Sequence, residues 1–261
     1  MAEEKRMSFL EHLEELRWRL VRSAIAILIV AIALWFYKGW IFENLFMTMK
    51  SKDFITFDFL CKYLGVCMDD ITVGTQSTTV TGQFSYALMM SIMGGFVVAF
   101  PFVFYQFWGF VKPGLRQNEK SVAKGIILYV TLLFFTGVAF GYFVVAPLCI
   151  QFFGGFTITD EVVNDFTINS YMSMVLSTIF YSGLLFLLPV LSYLLTKLGI
   201  LGSDFLKKYR KHAIIAILIL SAFITPPDLI SQVIVGIPIL ILYEIGIFVS
   251  KRVEKQRKNQ A

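Results

Sequence analysis

Two glutamates near the start of the chain have the type and spacing that can bind a cation. Glu11 and Glu15 lie four residues apart in the segment 9–20, where apolar residues recur at positions 9, 13, 16 and 20. This spacing predicts an amphipathic helix with both carboxylates on one face. Carboxylates pair with both arms of an arginine guanidinium, so this face, with a further carboxylate at Glu119, suits a basic peptide. The alternative is a helix lying on a membrane surface with solvated acids, and the pattern leaves both open.

Polar residues inside apolar segments are the second place where function is expected, because such residues are costly in a bilayer. Gln232 and Glu244 both lie in the last apolar segment. Glu244 comes two helical turns before Lys251, which favours a carboxylate near the membrane interface, solvated or paired with the basic tail. Gln232 either donates a hydrogen bond to another helix or faces water.

Catalytic motifs are absent from the sequence. The two histidines, His12 and His212, flank apolar segments, and the chain has no H-E-x-x-H, no G-x-S-x-G and no P-loop. No His, Cys, Asp and Glu residues have the spacing of metal ligands. We therefore expect neither an enzyme nor a metal or other cofactor.

The elements that must position these residues are membrane helices. Of the 261 residues, 57% are hydrophobic and only 16% are charged, and the mean hydropathy is +0.73. Several apolar runs approach the roughly 20 residues that cross a bilayer. The sequence predicts one domain over 1–261, an all-α polytopic membrane protein with six transmembrane helices. The predicted spans are residues 21–40, about 84–105, about 124–148, 171–195, 213–224 and 229–249.

Basic residues lie mainly on one side of the predicted membrane. The N-terminal segment through Arg22, the loop after the second span through Lys124, the loop after the fourth span, and the tail together hold 19 of the 23 Lys and Arg residues. The positive-inside rule then places both termini in the cytoplasm, in agreement with an even number of spans. The net charge of +5 is explained by this asymmetry, so no nucleic-acid partner is expected.

Cysteines fall on the opposite side of the predicted membrane. Cys61 and Cys67 lie six residues apart in the first outer loop. A bacterial periplasm is oxidising, so a disulfide between them is allowed. A pair of free thiols is the alternative, because the sequence does not give the Cβ geometry that a disulfide requires.

The fifth predicted span is too short for an ordinary bilayer. Its twelve residues reach about 18 Å at 1.5 Å per residue, against a hydrocarbon core of about 30 Å. Pro226 and Pro227 follow it and block any extension of the helix. We expect thinned lipid beside the last two spans. Four further prolines lie in or near spans and predict bent helices, namely Pro101, Pro147, Pro189 and Pro238.

Four ordered sequence blocks carry a resemblance to a known family. Residues 12–20, H-L-E-E-L-R-W-R-L, resemble the H-L-x-E-L-R-x-R-L opening of the TatC family, the core subunit of the twin-arginine translocase. Residues 100–115 are similar to the family's P-x-x-x-Y-Q-x-W-x-F-x-x-P-x-L stretch, and residues 141–147 to its A-Y-F-x-x-x-P segment. Residues 225–246 resemble its T-P-P-D-x-x-S-Q finish with the later P and E-x-G. The resemblance covers almost the whole chain.

The resemblance implies a receptor and organising subunit that exports folded proteins across the cytoplasmic (inner) membrane. It implies a bent, concave helix arrangement with short fifth and sixth helices. It also implies binding of twin-arginine signal peptides at the cytoplasmic face and transport driven by the proton-motive force. The implied partners are single-span Tat subunits of the TatA/TatB type and membrane lipids, in an oligomeric complex.

Individual residues of this chain match functional residues of the family by position. Glu15 and Glu119 match the signal-contacting carboxylates of the family, and Arg17 and Phe110 match other residues of that site. Gln232 and Glu244 are candidates for contact with a partner helix.

One departure from the family pattern lies in the fourth span. Many members carry a glutamate three residues before the proline that matches Pro189, whereas this chain has Phe186, Leu187 and Leu188 there. A mechanism that needs a buried acid at that place is therefore in doubt. A small-solute permease remains the alternative function, although a permease needs its polar groups near the middle of the membrane and this chain has them at the cytoplasmic face.

Overall fold

The computed structural model describes residues 9–65, 67, 74–111, 123–156, 159, 165–197, 199–224 and 229–258. Within these ranges the chain is almost entirely helical, which confirms the predicted all-α class. The helices are α1 (Phe9–Phe36), α2 (Lys38–Ile41), α3 (Ile55–Leu64), α4 (Gly82–Val111), α5 (Ala123–Phe140), α6 (Ala146–Gly155), α7 (Ile168–Leu185), α8 (Leu188–Lys197), α9 (Ser203–Lys208), α10 (Arg210–Ile224) and α11 (Leu229–Lys258). A π-helical segment (Phe42–Phe46) and a 3-10 segment (Met47–Lys50) follow α2, and a second π-helical segment (Gly141–Val145) joins α5 to α6. Two short strands, β1 (Thr75–Gln76) and β2 (Phe166–Thr167), complete the described elements.

The chain divides into two compact units. One comprises Met1–Tyr37 and Leu88–Thr131, and the other comprises Lys38–Ala87 and Leu132–Ala261. Each unit is described by itself below. The single transmembrane domain over 1–261 stays a prediction.

Four helical stretches are long and apolar enough to cross a membrane, and they correspond to the first four predicted spans. They cover Leu10–Phe36, Gly82–Val111, Gly125–Gly155 and Ile168–Lys197. The amphipathic segment 9–20 and the first span form one continuous helix, α1. No turn separates the two segments, and the orientation of residues 9–20 relative to the membrane stays a prediction.

The last two predicted spans are helices α10 and α11. Helix α10 has 15 residues and is therefore about 22 Å long, still shorter than a hydrocarbon core of about 30 Å. Helix α11 has 30 residues and is longer than predicted, because the basic tail after residue 249 remains helical. The count of six membrane spans and the side on which the termini lie stay predictions.

The prolines disturb the helices to different degrees. A proline lacks the amide hydrogen and its ring clashes with the carbonyl four residues earlier. The π-helical segment precedes Pro147 directly, and the break between α7 and α8 lies just before Pro189. Pro101 and Pro238 lie inside the uninterrupted helices α4 and α11.

In the first unit, two glycines bring α1 and α4 close together. A Cβ added at Gly95 would lie 2.8 Å from the backbone oxygen of Ile27 and 3.0 Å from the Cβ of Ala31. A Cβ at Gly94 would lie 2.9 Å from Leu34. Only glycine permits this close approach. The contact therefore fixes the register of α1 against α4, about three helical turns along α4 from the end at which Arg19 meets α4.

In the second unit, buried apolar residues hold the α10–α11 hairpin against α6. The cluster consists of Val145, Cys149, Ile217, Val235 and Ile239, each no more than 4% exposed. The helices therefore interlock through small and branched side chains with no buried charge in this cluster.

Phe186, which stands in the fourth span where many members of the family carry a glutamate, makes an aromatic contact. The ring of Phe186 is buried and lies 5.5 Å from the ring of Phe140. A Cβ at Gly137 would come within 2.7 Å of the Phe186 Cβ and of the Ser182 backbone oxygen. Tight apolar packing therefore takes the place of a polar contact here.

The loops at the predicted outer side are tied together by the strands. Strand β1 pairs in parallel with β2, with Thr75 opposite Phe166. The side chain of Gln76 donates a hydrogen bond of 2.9 Å to Asp165. This pairing joins the loop before α4 to the loop before α7.

Candidate functional site

Charged side chains of α1 line a groove in the first unit. The groove has a volume of about 460 Å³, and its lining residues are Glu11, Glu14, Glu15, Trp18, Arg19 and Arg22. These positions recur every three or four residues, which places them on neighbouring rows of one helix surface. Three carboxylates and two guanidinium groups thus face the same space.

The strongest contact in this groove joins Glu15 to Arg19. Arg19 donates from Nε at 2.9 Å and from Nη2 at 2.6 Å, and both bonds go to the same oxygen, Oε1 of Glu15. The two side chains are only 25% and 23% exposed. A charge-assisted pair one helical turn apart and largely shielded from water is held more firmly than an ordinary surface pair.

Arg19 is also anchored to α4. Its Nη1 donates to the backbone oxygen of Gln106 at 3.3 Å. The guanidinium lies against Gly109, where a Cβ would overlap Nη1 and come within 2.7 Å of Cζ. The absence of a side chain at Gly109 therefore makes room for Arg19.

The second oxygen of Glu15 remains without a hydrogen bond. Oε2 is buried and has no hydrogen-bond partner among the described residues. The Nδ1 atom of His12 lies 3.9 Å from it, which is too long for a hydrogen bond. The His12 ring is held by Phe110, with ring centroids 4.2 Å apart and planes inclined by 12°. A ligand donor that reached Oε2 would satisfy a group that now lacks a partner.

Known relatives of the chain identify its family. The sequence model described as "TatC: Sec-independent protein translocase protein (TatC)" matches residues 11–238. The chain belongs to the TatC family. It is 38% identical to the Sec-independent protein translocase protein TatC of Blattabacterium sp. subsp. Periplaneta americana (strain BPLAN), over 98% of this chain and 99% of that protein. It is 35% identical to the TatCy protein of Bacillus subtilis (strain 168), over 98% of this chain and 93% of that protein.

Solved structures agree with the sequence relatives. The chain is similar to "Crystal Structure of Twin Arginine Translocase Receptor- TatC" with a TM-score of 0.75 and 32% identity, over 94% of this chain and 100% of that chain. The predicted family and the polytopic helical fold are thereby confirmed. As a TatC-family member, the chain is a multi-pass membrane component of a Sec-independent protein translocase. This membership favours protein transport over a small-solute permease.

The remaining predicted residues of the TatC-type site are placed differently. Phe110 lies beside the groove, where its ring stacks on the ring of His12. Arg17 lies away from Glu15 on an exposed part of α1, where its Nη2 is 3.7 Å from Glu14 Oε1. Glu119 lies outside the described residues. The structure thus places Phe110 near Glu15 through His12, while Arg17 lies near Glu14 and over the ring of Trp18.

The two polar residues of α11 both contact neighbouring elements of the second unit. Gln232 donates a hydrogen bond of 2.8 Å to the backbone oxygen of Leu218 on α10, so the interhelical alternative holds. Glu244 pairs with Arg210 at 2.8 Å. Of the two alternatives, pairing with the basic tail is wrong, because the partner is Arg210 and Lys251 lies two turns away on the same helix, about 10 Å along its axis; the Glu244 side chain is 50% exposed, which agrees with the solvated alternative.

The cysteines of the outer loop are paired in the structure. A disulfide joins Cys61 to Cys67, with the two Cα atoms 4.2 Å apart. Helix α3 ends between them at Gly65, whose φ of 69° lies in the left-handed region that glycine adopts readily. Oxidation of this pair in cells stays a prediction.

Metal binding is not indicated by the described part of the chain. In those ranges no group of three or more His, Cys, Asp or Glu residues is placed to hold a metal ion.

Sequence reasoning missed the residues that hold Glu15. Arg19 follows Glu15 at the i+4 spacing that favours ion pairs, and this signal was available in the sequence. Gln106 is a polar residue in an apolar segment and is only 6% exposed, which is also a recognisable signal. The contact of Arg210 with Glu244 joins residues 34 positions apart, and no local pattern reveals it.

Proposed function

We propose that the chain is the signal-peptide receptor and organising subunit of a twin-arginine translocase. The observation that carries the proposal is the buried Oε2 of Glu15, which has no hydrogen-bond partner among the described residues and lies in a groove lined by three carboxylates. Support also comes from the similarity to the structure named as a twin-arginine translocase receptor.

An arginine of the signal peptide fits the chemistry of this groove. A buried acceptor that lacks a partner costs about 1–3 kcal/mol, and a guanidinium that donates to it would recover that cost. Glu11 and Glu14 lie on the same groove and would attract the second arginine. Glu119, which matches the second signal-contacting carboxylate of the family, is proposed to act with Glu15.

Phe110 and Arg17 have supporting roles in this proposal. Phe110 stacks on His12 and so keeps the imidazole against the Glu15 side of the groove. Arg17 lies near Glu14 and limits the negative charge at the outer edge of the groove. Neither side chain would need to touch the peptide arginine.

Partner helices are proposed to dock at the α10–α11 hairpin. Gln232 closes the hairpin near one end, and Glu244 pairs with Arg210 nearer the other. Single-span Tat subunits of the TatA/TatB type are the proposed occupants, because a short helix shares thinned lipid with a similarly short partner. Gln232 and Glu244 would then contribute polar contacts to an oligomeric complex.

The energy source and the orientation complete the proposal. We propose export of folded proteins across the cytoplasmic membrane by the proton-motive force, with no nucleotide or metal cofactor. Both termini would lie in the cytoplasm, because 19 of the 23 basic residues fall on that side of the predicted topology. The groove on α1 would then face the compartment in which precursors are made.

Peptide binding to purified protein in nanodiscs tests the receptor proposal. Glu15→Gln keeps the size of the side chain and removes its charge, so affinity for a twin-arginine peptide should fall by about tenfold or more, as for the loss of a charged hydrogen bond. Asp204→Asn is the control, because Asp204 lies on α9, outside the groove, and is 95% exposed, so the loss of its charge should have little effect. Equal affinity of the wild type for twin-arginine and twin-lysine peptides, or full binding by Glu15→Gln, would refute the proposal.

A further inference from the structure

Helix α3 carries an exposed apolar stripe. Ile55, Phe59 and Tyr63 follow one another at intervals of four residues and are 68%, 56% and 68% exposed. The rings of Phe59 and Tyr63 lie 4.7 Å apart. The opposite face is buried through Phe57, which is 2% exposed. The stripe is therefore a second apolar surface, separate from the one that faces the protein.

Helix α3 is firmly seated, so the exposure of the stripe is a fixed property of the fold. The Phe54 ring just before the helix lies 6.2 Å from the ring of Phe143. The hydroxyl of Thr56 donates a short hydrogen bond to the backbone oxygen of Phe143. At the other end, the disulfide from Cys61 to Cys67 closes the turn after the helix.

These contacts define the depth at which α3 lies. Phe143 belongs to the membrane-crossing stretch Gly125–Gly155 and is itself 38% exposed. It lies twelve residues before Gly155, the end of that stretch, which is about 18 Å along the helix. Helix α3 is thus attached to the side of the membrane-crossing stretch, in the half that leads to the predicted outer side.

We propose that α3 is an interfacial anchor whose stripe inserts into the lipid at the outer membrane surface. The occupant of the stripe is lipid because α3 is attached to the side of a membrane-crossing stretch at Phe143, which is itself 38% exposed. Asp58 and Lys62 are exposed and flank the stripe on one edge of the helix. Such a polar edge beside an apolar stripe is the pattern of helices that lie in the interface plane, with charged groups among the headgroups.

The anchor gives the outer loop a role that is independent of signal-peptide binding. Helix α3 contacts Phe143 through Thr56 and Phe54. A displacement of α3 by the lipid would therefore also displace the π-helical segment before Pro147. The same lipid contact would hold the first outer loop at a constant height above the membrane.

Site-specific photocrosslinking in nanodiscs tests the proposal. The photoreactive amino acid p-benzoyl-phenylalanine replaces Phe59 or Tyr63 in separate variants, and the nanodiscs contain alkyne-tagged phosphatidylcholine and phosphatidylglycerol. The replacement is aromatic and sits on an exposed face, so folding should be preserved. The matched control carries the same group at Asp58, on the polar edge of the same helix.

The expected result is lipid adducts at positions 59 and 63 in severalfold higher yield than at position 58, seen as mass-shifted protein. Equal yields at the three positions would overturn the proposal. Adducts to a second protein chain in place of lipid, with the full translocase present, would also overturn it and identify a protein interface instead. Both outcomes can be read whether or not the chain binds signal peptides.

Discussion

Replacing Gly109 with alanine should impair peptide binding although it improves the local helix. Gly109 lies in α4, where alanine is favoured over glycine by about 1 kcal/mol. The added Cβ would lie 2.7 Å from Cζ and 3.0 Å from Nη2 of Arg19, and it would overlap Nη1. Arg19 must therefore move, and we expect this to weaken its hydrogen bond to the Gln106 backbone oxygen and its two hydrogen bonds to Glu15.

The magnitude follows from the contacts that are lost. The Glu15–Arg19 pair is less than one third exposed, so solvent screening reduces its strength only in part. Charged hydrogen bonds contribute about 1.5–3 kcal/mol each, and about 1.4 kcal/mol corresponds to a tenfold change in affinity. Losing the fixed direction of Glu15 should thus weaken binding of a twin-arginine peptide by about tenfold, and the lost hydrogen bonds should offset the roughly 1 kcal/mol that alanine adds to the helix, so the melting temperature should not rise.

The assay is fluorescence anisotropy of a labelled twin-arginine peptide with protein in nanodiscs, together with thermal unfolding. Gly125→Ala is the matched control, since a Cβ there meets nothing within 4 Å. A double-mutant cycle with Arg19→Ala isolates the cause. In the Arg19→Ala background, Gly109→Ala should have no further effect, and two additive losses would refute the reasoning. Unchanged affinity of the single variant would refute it too.

Three other predictions follow from the packing. Gly95→Ala should lower the melting temperature by the equivalent of about 1–3 kcal/mol, because the added Cβ meets backbone atoms of α1 that cannot rotate away; Gly125→Ala is the control, and equal stability of the two variants would contradict the packing. Cys61 and Cys67 should be recovered as one disulfide-linked peptide from cells lysed with a thiol-blocking reagent, and two alkylated thiols would count against it. Burial lowers the pKa of Lys50 in the folded state below its ordinary 10.5. Between the lowered pKa and 10.5 the unfolded state binds more protons than the folded state. The free energy of unfolding should therefore increase as the pH rises through this range. NMR of ¹³C-dimethylated lysines measures this pKa, and a value of 10.5 or higher would contradict it.

Local patterns determined the parts of this protein that depend on neighbouring residues. Apolar runs and flanking charges predicted the four long spans, because a bilayer imposes length and polarity on each segment separately. The period of the segment 9–20 placed Glu11 and Glu15 on one face, and the structure keeps them on one groove. The ordered motifs identified the family, which the sequence and structure relatives confirmed.

Tertiary packing decided everything that depends on residues far apart in the chain. Arg19 reaches α4 only because Gly109 leaves room for it, and this approach in turn depends on the close contact of α1 with Gly95. Glu244 pairs with Arg210 because α10 and α11 meet as a hairpin, whereas the sequence pointed to the nearer tail. Periodicity tells which residues share a face, but only the packing of one helix on another determines which oxygen of Glu15 accepts hydrogen bonds and which is buried without one.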